Sequence, residues 1–309
     1  MRRRLNVVLV AEEAAGAQAF RNLTRTDHNI VGLLTSATGA GVSVTSLAKR
    51  LEVPVLPSGT VRDASTADWL VREEVDVLLN VHSLFRVHPA VVTAPRIGSF
   101  NLHPGPLPEY AGLNAPSWAI YNGETSHAVT LHWMDTEIDT GPIVYSSSFD
   151  ITDRDTGLSV SATCAREGLP LLARLLEDAS GDPAWIPATP QDLTRRHYYG
   201  REVPDDGRIR WSHSGRQLVD FVRACDYLPF VSPWGHPVAR LRGEELEILK
   251  ASRTYDACDA KPGTVGHEGE GSMCVATADE WIRIHRVRVA DEMVDADVAL
   301  AVGDRLADG

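Results

Sequence analysis

The sequence predicts an α/β chain: a Rossmann-like, mostly parallel sheet followed by a small β-barrel of OB-like type. Three observations carry that prediction. Short apolar runs alternate with stretches of helical spacing from Leu5 to Phe149. Gly and Pro then punctuate a weakly periodic stretch between Asp178 and Asp206. Beyond it, short strand-like runs are separated by Gly-rich turns. The spacing divides the chain into a first domain over 1–185, a connection over 186–206 and a second domain over 207–309. At 309 residues the chain is long enough for two domains, each burying a core without disulfide or metal staples.

In order, Leu5–Val10 is a Val-rich run with no alternation, as expected of a strand buried on both faces. Ala14–Leu23 follows as a helix and Ile30–Leu34 as a second strand. Val44–Leu51 has helical spacing, and Val53–Leu56 is a short strand bounded by prolines. Thr66–Glu74 is helical and Val75–Val81 is again almost wholly apolar. Ile97–Asn101 reads as a strand running into a proline-rich loop, His103-Pro104-Gly105-Pro106-Leu107-Pro108. A helix begins at Pro116, Ala128–Met134 and Ile143–Phe149 are strands, and Leu158–Leu176 is a long helix capped by Thr156 and bent at Pro170. In the second domain Leu218–Ala224 is helical. Val238–Leu241, Leu246–Leu249, Met273–Ala276 and Trp281–Val289 are strands, and Asp291–Gly309 forms a last strand with a loose tail.

Charge narrows the function. The chain carries 30 Lys+Arg against 42 Asp+Glu, a formal net charge of −12. Residues 201–309 hold 14 basic and 20 acidic residues and the remainder 16 and 22, so each part is net −6. A surface that grips a nucleic-acid backbone is basic, so nucleic acid is a disfavoured partner. Cys164, Cys225, Cys258 and Cys274 are never spaced as CxxC, which argues for reduced thiols in a cytoplasmic protein and against a zinc site. No run approaches the roughly 20 apolar residues of a membrane helix, and no P-loop, HExxH or GxSxG motif occurs.

Two segments carry chemistry. Asn101 and His103 stand two apart at a strand's carboxyl end, where extended chain places both side chains on one face. Asp135-Thr136-Glu137-Ile138-Asp139-Thr140-Gly141 follows a later strand and offers a carboxylate at Asp139. An amide, an imidazole and a carboxylate brought together suit acyl transfer to nitrogen. Spacing alone leaves the plain alternatives open: His103 as a turn residue and Asp139 as a cap in a Thr-Gly turn.

The runs FNLHPGPLPEYAGLNAPSWAIYNG (Phe100–Gly123) and AVTLHWMDTEIDTGPI (Ala128–Ile143) resemble the folate-dependent formyltransferase family. That family includes methionyl-tRNA formyltransferase, glycinamide ribonucleotide transformylase and aminosugar N-formyltransferases. Its pattern of N-x-H, then V-T-x-H-x-M-D, then D-T-G is present in order and at family spacing. The resemblance implies that N10-formyltetrahydrofolate is the donor and that no metal takes part. It implies Asn101 as the oxyanion donor, His103 as the general acid/base and Asp139 as the group that raises the pKa of His103. Leu84, Phe85 and Arg86 would meet the pterin, and Asp135, Thr136, Glu137, Ile138 and Asp139 would form the other wall of the folate pocket. Gly105-Pro106, Ala128 and Pro142 depart from the commonest family wording without removing a catalytic group.

The resemblance points to a small-molecule primary amine or a carrier-bound aminoacyl group as acceptor, in specialised metabolism such as antibiotic biosynthesis. Methionyl-tRNA formylation and a catalytically inactive folate-binding or carrier-docking module are the alternatives. Aromatic and polar residues at Asp226–Phe230 and at Trp234-Gly235-His236 are candidates for the acceptor side, against the plain alternative of a packed connection.

Overall fold

The computed structural model describes residues 3–36, 40–83 and 85–309. The chain folds into two compact units, each discontinuous in sequence. The first is Met1–Gly112, His127–Phe149 and Ala162–Tyr198; the second is Leu113–Ser126, Asp150–Ser161 and Tyr199–Gly309.

The elements follow the alternation expected from the sequence: β1 (Asn6–Ala11), α1 (Glu13–Leu23), β2 (Asn29–Thr35), α2 (Ala40–Arg50), β3 (Val55–Pro57), α3 (Ser65–Arg72), β4 (Val77–Val81), α4 (Pro89–Thr93) and β5 (Gly98–His103). After the short β6 (Ala111–Gly112) come α5 (Ala115–Tyr121), β7 (Ser126–Trp133), β8 (Ile143–Asp150), α6 (Gly157–Gly181) and the short β9 (Tyr198–Tyr199).

In the first unit seven strands lie in the order β3-β2-β1-β4-β5-β7-β8. The pairings from β3 to β5 are parallel, and β7 runs antiparallel to β5. Val7, Val8, Leu9 and Val10 of β1 have no exposed surface, which is why their run shows no polar alternation. On one side of the sheet Val8, Val10, Leu34, Leu70, Leu78 and Val91 form a continuous core, against which Phe85 and Met134 pack. The chain progresses outward in one direction from β1 and in the other from β4. The carboxyl ends flanking that switch point are where an open α/β sheet leaves a crevice.

Two local expectations changed. His103 is the last residue of β5 rather than the first of a loop, so its ring is fixed by the sheet. Helix α6 runs from Gly157 to Gly181 with Pro170 inside it, longer than the Leu158–Leu176 expected. Thr156 does cap it: Thr156 Oγ1 accepts the Ser159 N–H at 3.3 Å.

The second unit contains α7 (Gly215–Cys225), β10 (Val238–Leu241), β11 (Glu244–Ala257), β12 (Val265–Gly269), β13 (Ser272–Ala276), β14 (Glu280–Val289), β15 (Glu292–Asp295), α8 (Ala296–Ala299) and β16 (Leu306–Asp308). The pairings between these strands are antiparallel, in the order β12-β13-β14-β11-β10-β16, with β15 on β14. The two ends of that path meet through an isolated bridge, Thr264 to Arg305, so the sheet curls into a half-barrel. Strand β11 is much longer than the expected Leu246–Leu249, because bulges along its ladder with β14 carry it through residues that show no alternation. The last strand expected within Asp291–Gly309 is present as β16, and its pairing with β10 ties down the tail that was expected to be loose. Ser214 caps α7 in a capping box with Gln217, a Ser-x-x-Gln signal that marks the helix start ahead of the predicted Leu218.

Candidate active site

The cluster begins with strand register. Asn80 of β4 stands beside Asn101 of β5, and Asn101 stands beside His132 of β7. Three polar side chains thus lie in one row across three neighbouring strands. Asn80 Nδ2 donates to Asn101 Oδ1 at 2.9 Å, and Asn101 Nδ2 donates to His132 Nε2 at 3.1 Å. His132 Nδ1 lies 2.7 Å from the Trp133 carbonyl. A carbonyl only accepts, so the ring carries its proton on Nδ1 and leaves Nε2 free to accept.

Asp139 is brought to this row by the loop after β7. Its backbone is in the left-handed region at φ +57°. The following turn needs Gly141, since a Cβ there would fall 1.9 Å from the Trp133 carbonyl oxygen. Asp139 Oδ2 accepts the Gly112 N–H at 2.8 Å, and Oδ1 accepts from Asn101 Nδ2 at 3.3 Å. His103 Nδ1 is 3.5 Å from Asp139 Oδ2, while His103 Nε2 donates to the Tyr110 carbonyl at 2.6 Å. The three side chains singled out from the sequence therefore converge. Of these, His103 and Asp139 are buried, and Asn101 is the one that opens to solvent.

Burial governs the protonation states. Burial pushes the Asp139 carboxyl up, but the neighbouring His103 and the Gly112 N–H bring it below the ordinary carboxylate range. Burial also lowers the His103 pKa, and Asp139 and the Tyr110 carbonyl only oppose that shift. Asp139 acts on the His103 pKa in the expected direction, raising it, while desolvation of the buried ring outweighs that effect. With Nε2–H committed to Tyr110, a proton reaching this ring lands on Nδ1, against Asp139 Oδ2.

The two segments expected to line a folate pocket are in contact. Arg86 Nη2 donates to the Thr136 carbonyl at 3.1 Å and lies 3.5 Å from Glu137 Oε1. Asp135, Thr136, Glu137 and Ile138 are at least partly exposed, Phe85 is half-buried against the core, and Leu84 lies outside the described residues.

Four supporting residues carried no role in the sequence reading. His132 lay inside a recognised motif. Asn80 was signalled only as the one polar residue in the run VLLNV. Gly112 contributes a backbone N–H, which side-chain patterns do not encode. Gln191, from the connection, donates through Nε2 to the carbonyls of Asp139 (3.0 Å) and Gly141 (2.6 Å), and nothing local marks it.

In the second unit Trp234 and His236 are buried, and the Trp234 ring packs edge-on to Trp118 at 4.8 Å. These residues are core, and within the neighbouring segment Phe230, 64% exposed, presents an apolar surface. No group of three or more His, Cys, Asp or Glu suited to a metal ion occurs among the described residues, and no described helix is long and apolar enough to cross a membrane.

The family described as Formyl transferase matches residues 6–176, and its C-terminal domain matches residues 203–300. The methionyl-tRNA formyltransferase of Sorangium cellulosum is 32% identical over 269 residues, covering 85% of this chain and 82% of that protein. The chain belongs to the formyl transferase family. Solved structures with the same fold include an N-formyltransferase from Helicobacter canadensis in complex with folinic acid and dTDP-3-aminofucose. It has a TM-score of 0.68 at 16% identity, over 91% of this chain and 99% of that one. HypX from Aquifex aeolicus, in complex with tetrahydrofolic acid, gives a TM-score of 0.63 at 19% identity, over 97% of this chain and 47% of that one.

Proposed function

We propose that this chain moves a formyl group from N10-formyltetrahydrofolate to the primary amine of a small molecule or a carrier-bound amino acid, in specialised metabolism. The convergence of Asn101, His103 and Asp139 at the carboxyl ends of the central strands carries this reading. Bound donor supplies the one-carbon carbonyl. The residues that would hold it are Phe85 and Arg86 on one side and the exposed 135–138 backbone on the other, a fit supported by the Arg86–Thr136 contact between those loops.

Asn101 then donates the amide N–H that rests on Asp139 to the carbonyl oxygen as that oxygen gains charge, exchanging that long contact for a stronger one. His103 accepts the proton that the amine nitrogen loses and returns it to the departing folate nitrogen, with Nδ1 as the basic atom. Asp139 stays ionised and stabilises the imidazolium while the proton resides there.

Met-tRNA is the second reading, favoured by the 32% identity to a protein of that name and opposed by the acidic charge of residues 201–309. The test is formylation from N10-formyltetrahydrofolate across a panel: dTDP-aminosugars, hydroxyornithine and other free amino acids, carrier-bound aminoacyl groups, and charged Met-tRNA. Turnover on a small or carrier-bound amine supports the proposal, and turnover confined to Met-tRNA replaces it with the second reading. Tight folate binding with no turnover on any amine leaves an inactive binding module.

A further inference from the structure

We infer that Asn80 is a positioning residue which fixes the orientation of the Asn101 amide, so that its N–H rather than its carbonyl faces the reacting carbon. This rests on the catalytic reading of Asn101 above and extends it to a residue outside the family motifs. An Asn side chain is nearly symmetric in shape, and turning it over exchanges a donor for an acceptor. For an oxyanion donor that exchange replaces attraction by repulsion.

The chain fixes the choice link by link. The Trp133 carbonyl can only accept, so His132 carries its proton on Nδ1 and presents a lone pair at Nε2. That lone pair takes an Asn101 Nδ2–H at 3.1 Å, which turns Asn101 Oδ1 toward β4. There Asn80 Nδ2 meets it at 2.9 Å, the shorter of the two contacts. Asp139 Oδ1, 3.3 Å from Asn101 Nδ2, favours the same orientation in the resting arrangement. During transfer, however, the N–H held by Asp139 passes to the substrate oxygen. The amide is then held by His132 and Asn80.

Asn80 is only 6% exposed and sits in a strand whose other residues are Val and Leu. Its own Oδ1 has no partner among the described residues. A buried amide with one unpaired end is a cost to folding, and an apolar residue at this position would avoid it. The hydrogen bond to Asn101 is the return that the site receives.

The decisive variant is Asn80→Asp, which keeps the shape and replaces the donating amide by a carboxyl. Ionised, the carboxyl repels Asn101 Oδ1 and draws Nδ2 toward itself; protonated, it donates as Asn80 does. Burial raises the pKa of a carboxyl at this position, so the change falls within a usable pH range. Steady-state rates are measured from pH 5.5 to 8.5 with N10-formyltetrahydrofolate and the panel amine that the wild-type chain formylates fastest. Asn80→Leu, Asn80→Ser and Asn101→Ala are measured in parallel, and circular dichroism confirms folding.

The expected result is a kcat about 10- to 100-fold below wild type for Asn80→Asp at pH 8.5. The deficit closes as pH falls, and the donor KM stays within about twofold. Asn80→Leu shows a loss of about 10-fold that does not change with pH, and Asn80→Ser, which keeps a donor, retains more activity than Asn80→Leu. A pH-independent deficit shared equally by Asp and Leu marks Asn80 as a packing residue and overturns the inference. So do variants within twofold of wild type when Asn101→Ala is inactive. Full activity in Asn101→Ala, or no wild-type turnover on any panel amine, instead removes the catalytic reading, and the inference falls with it.

Discussion

Two clusters of buried polar groups, one in each unit, are built on different rules. In the second unit, Glu280 of the half-barrel accepts from Arg253 Nε at 2.7 Å and from the Tyr255 N–H at 3.0 Å, while on α7 Asp220 is separately paired with Arg223. Each carboxylate there meets a guanidinium, a group that does not give up its proton. In the parallel sheet, Asn80, Asn101, His132, His103 and Asp139 hold one another with amides, imidazoles and one carboxylate, and among the described residues no Lys or Arg pairs with them. Fixed charges lock a structure. Groups that can swap partners or take up a proton are poised to respond to a ligand.

The comparison makes graded predictions. In the half-barrel the effect is expected on stability: Glu280→Ala leaves Arg253 without its buried partner and lowers stability by about 3 kcal/mol. Denaturant unfolding measures the loss, and the turnover of the remaining folded protein should be unchanged. A fall in kcat for folded Glu280→Ala would break the distinction between the two clusters.

In the sheet the same kind of truncation should act on rate instead of stability. Asn101→Ala and His103→Ala are each expected to reduce turnover by about 100- to 1,000-fold or more while the fold persists. Near-wild-type rates in either variant, with N10-formyltetrahydrofolate and an accepted amine, would remove these residues from the chemistry.

The next effect concerns pH. His127 is buried beside the site, with Nε2 on the Pro104 carbonyl at 2.9 Å, and burial lowers its pKa from 6.5 to about 4. As pH falls, the unfolded chain therefore takes up this proton first. The stability that the neutral ring provides is complete above about pH 6.5 and is lost toward pH 4, by up to about 3 kcal/mol. His127→Gln should flatten the dependence of the melting temperature on pH across that interval. A curve as steep as that of the wild type assigns the acid sensitivity to other groups.

The smallest effect is expected at Arg86, whose contacts to Thr136 and Glu137 are exposed. An exposed ion pair contributes at most about 1 kcal/mol, so Arg86→Ala should raise the donor KM by less than about fivefold and leave kcat alone. A large loss of kcat would mean that this bridge shapes the reacting centre as well as the pocket wall.

The sequence was informative where neighbours along the chain decide the outcome. Continuous Val and Leu runs marked β1 and β4, because strands buried on both faces have no reason to alternate. Thr156 marked the start of α6. The N-x-H and D-T-G motifs marked Asn101, His103 and Asp139, and the structure brings the first two within 3.5 Å of the third. It was uninformative where a residue's role is set by a partner far along the chain. Gln191 lies 52 and 50 positions from the two residues whose carbonyls it holds, in a segment that reads only as a connection. The length of β11 depended on bulged pairing with β14 and not on its own pattern.

By itself, then, the amino-acid sequence determined the α/β alternation, the family and the residue types available for acyl transfer, because periodicity and motifs are properties of adjacent positions. Tertiary structure alone decided that Asn80, Asn101 and His132 share a row, since register between strands separated by 21 and 31 positions is fixed only when the sheet assembles. It also decided that His103 is desolvated more strongly than Asp139 can compensate, because burial belongs to the packed molecule and to no single residue in it.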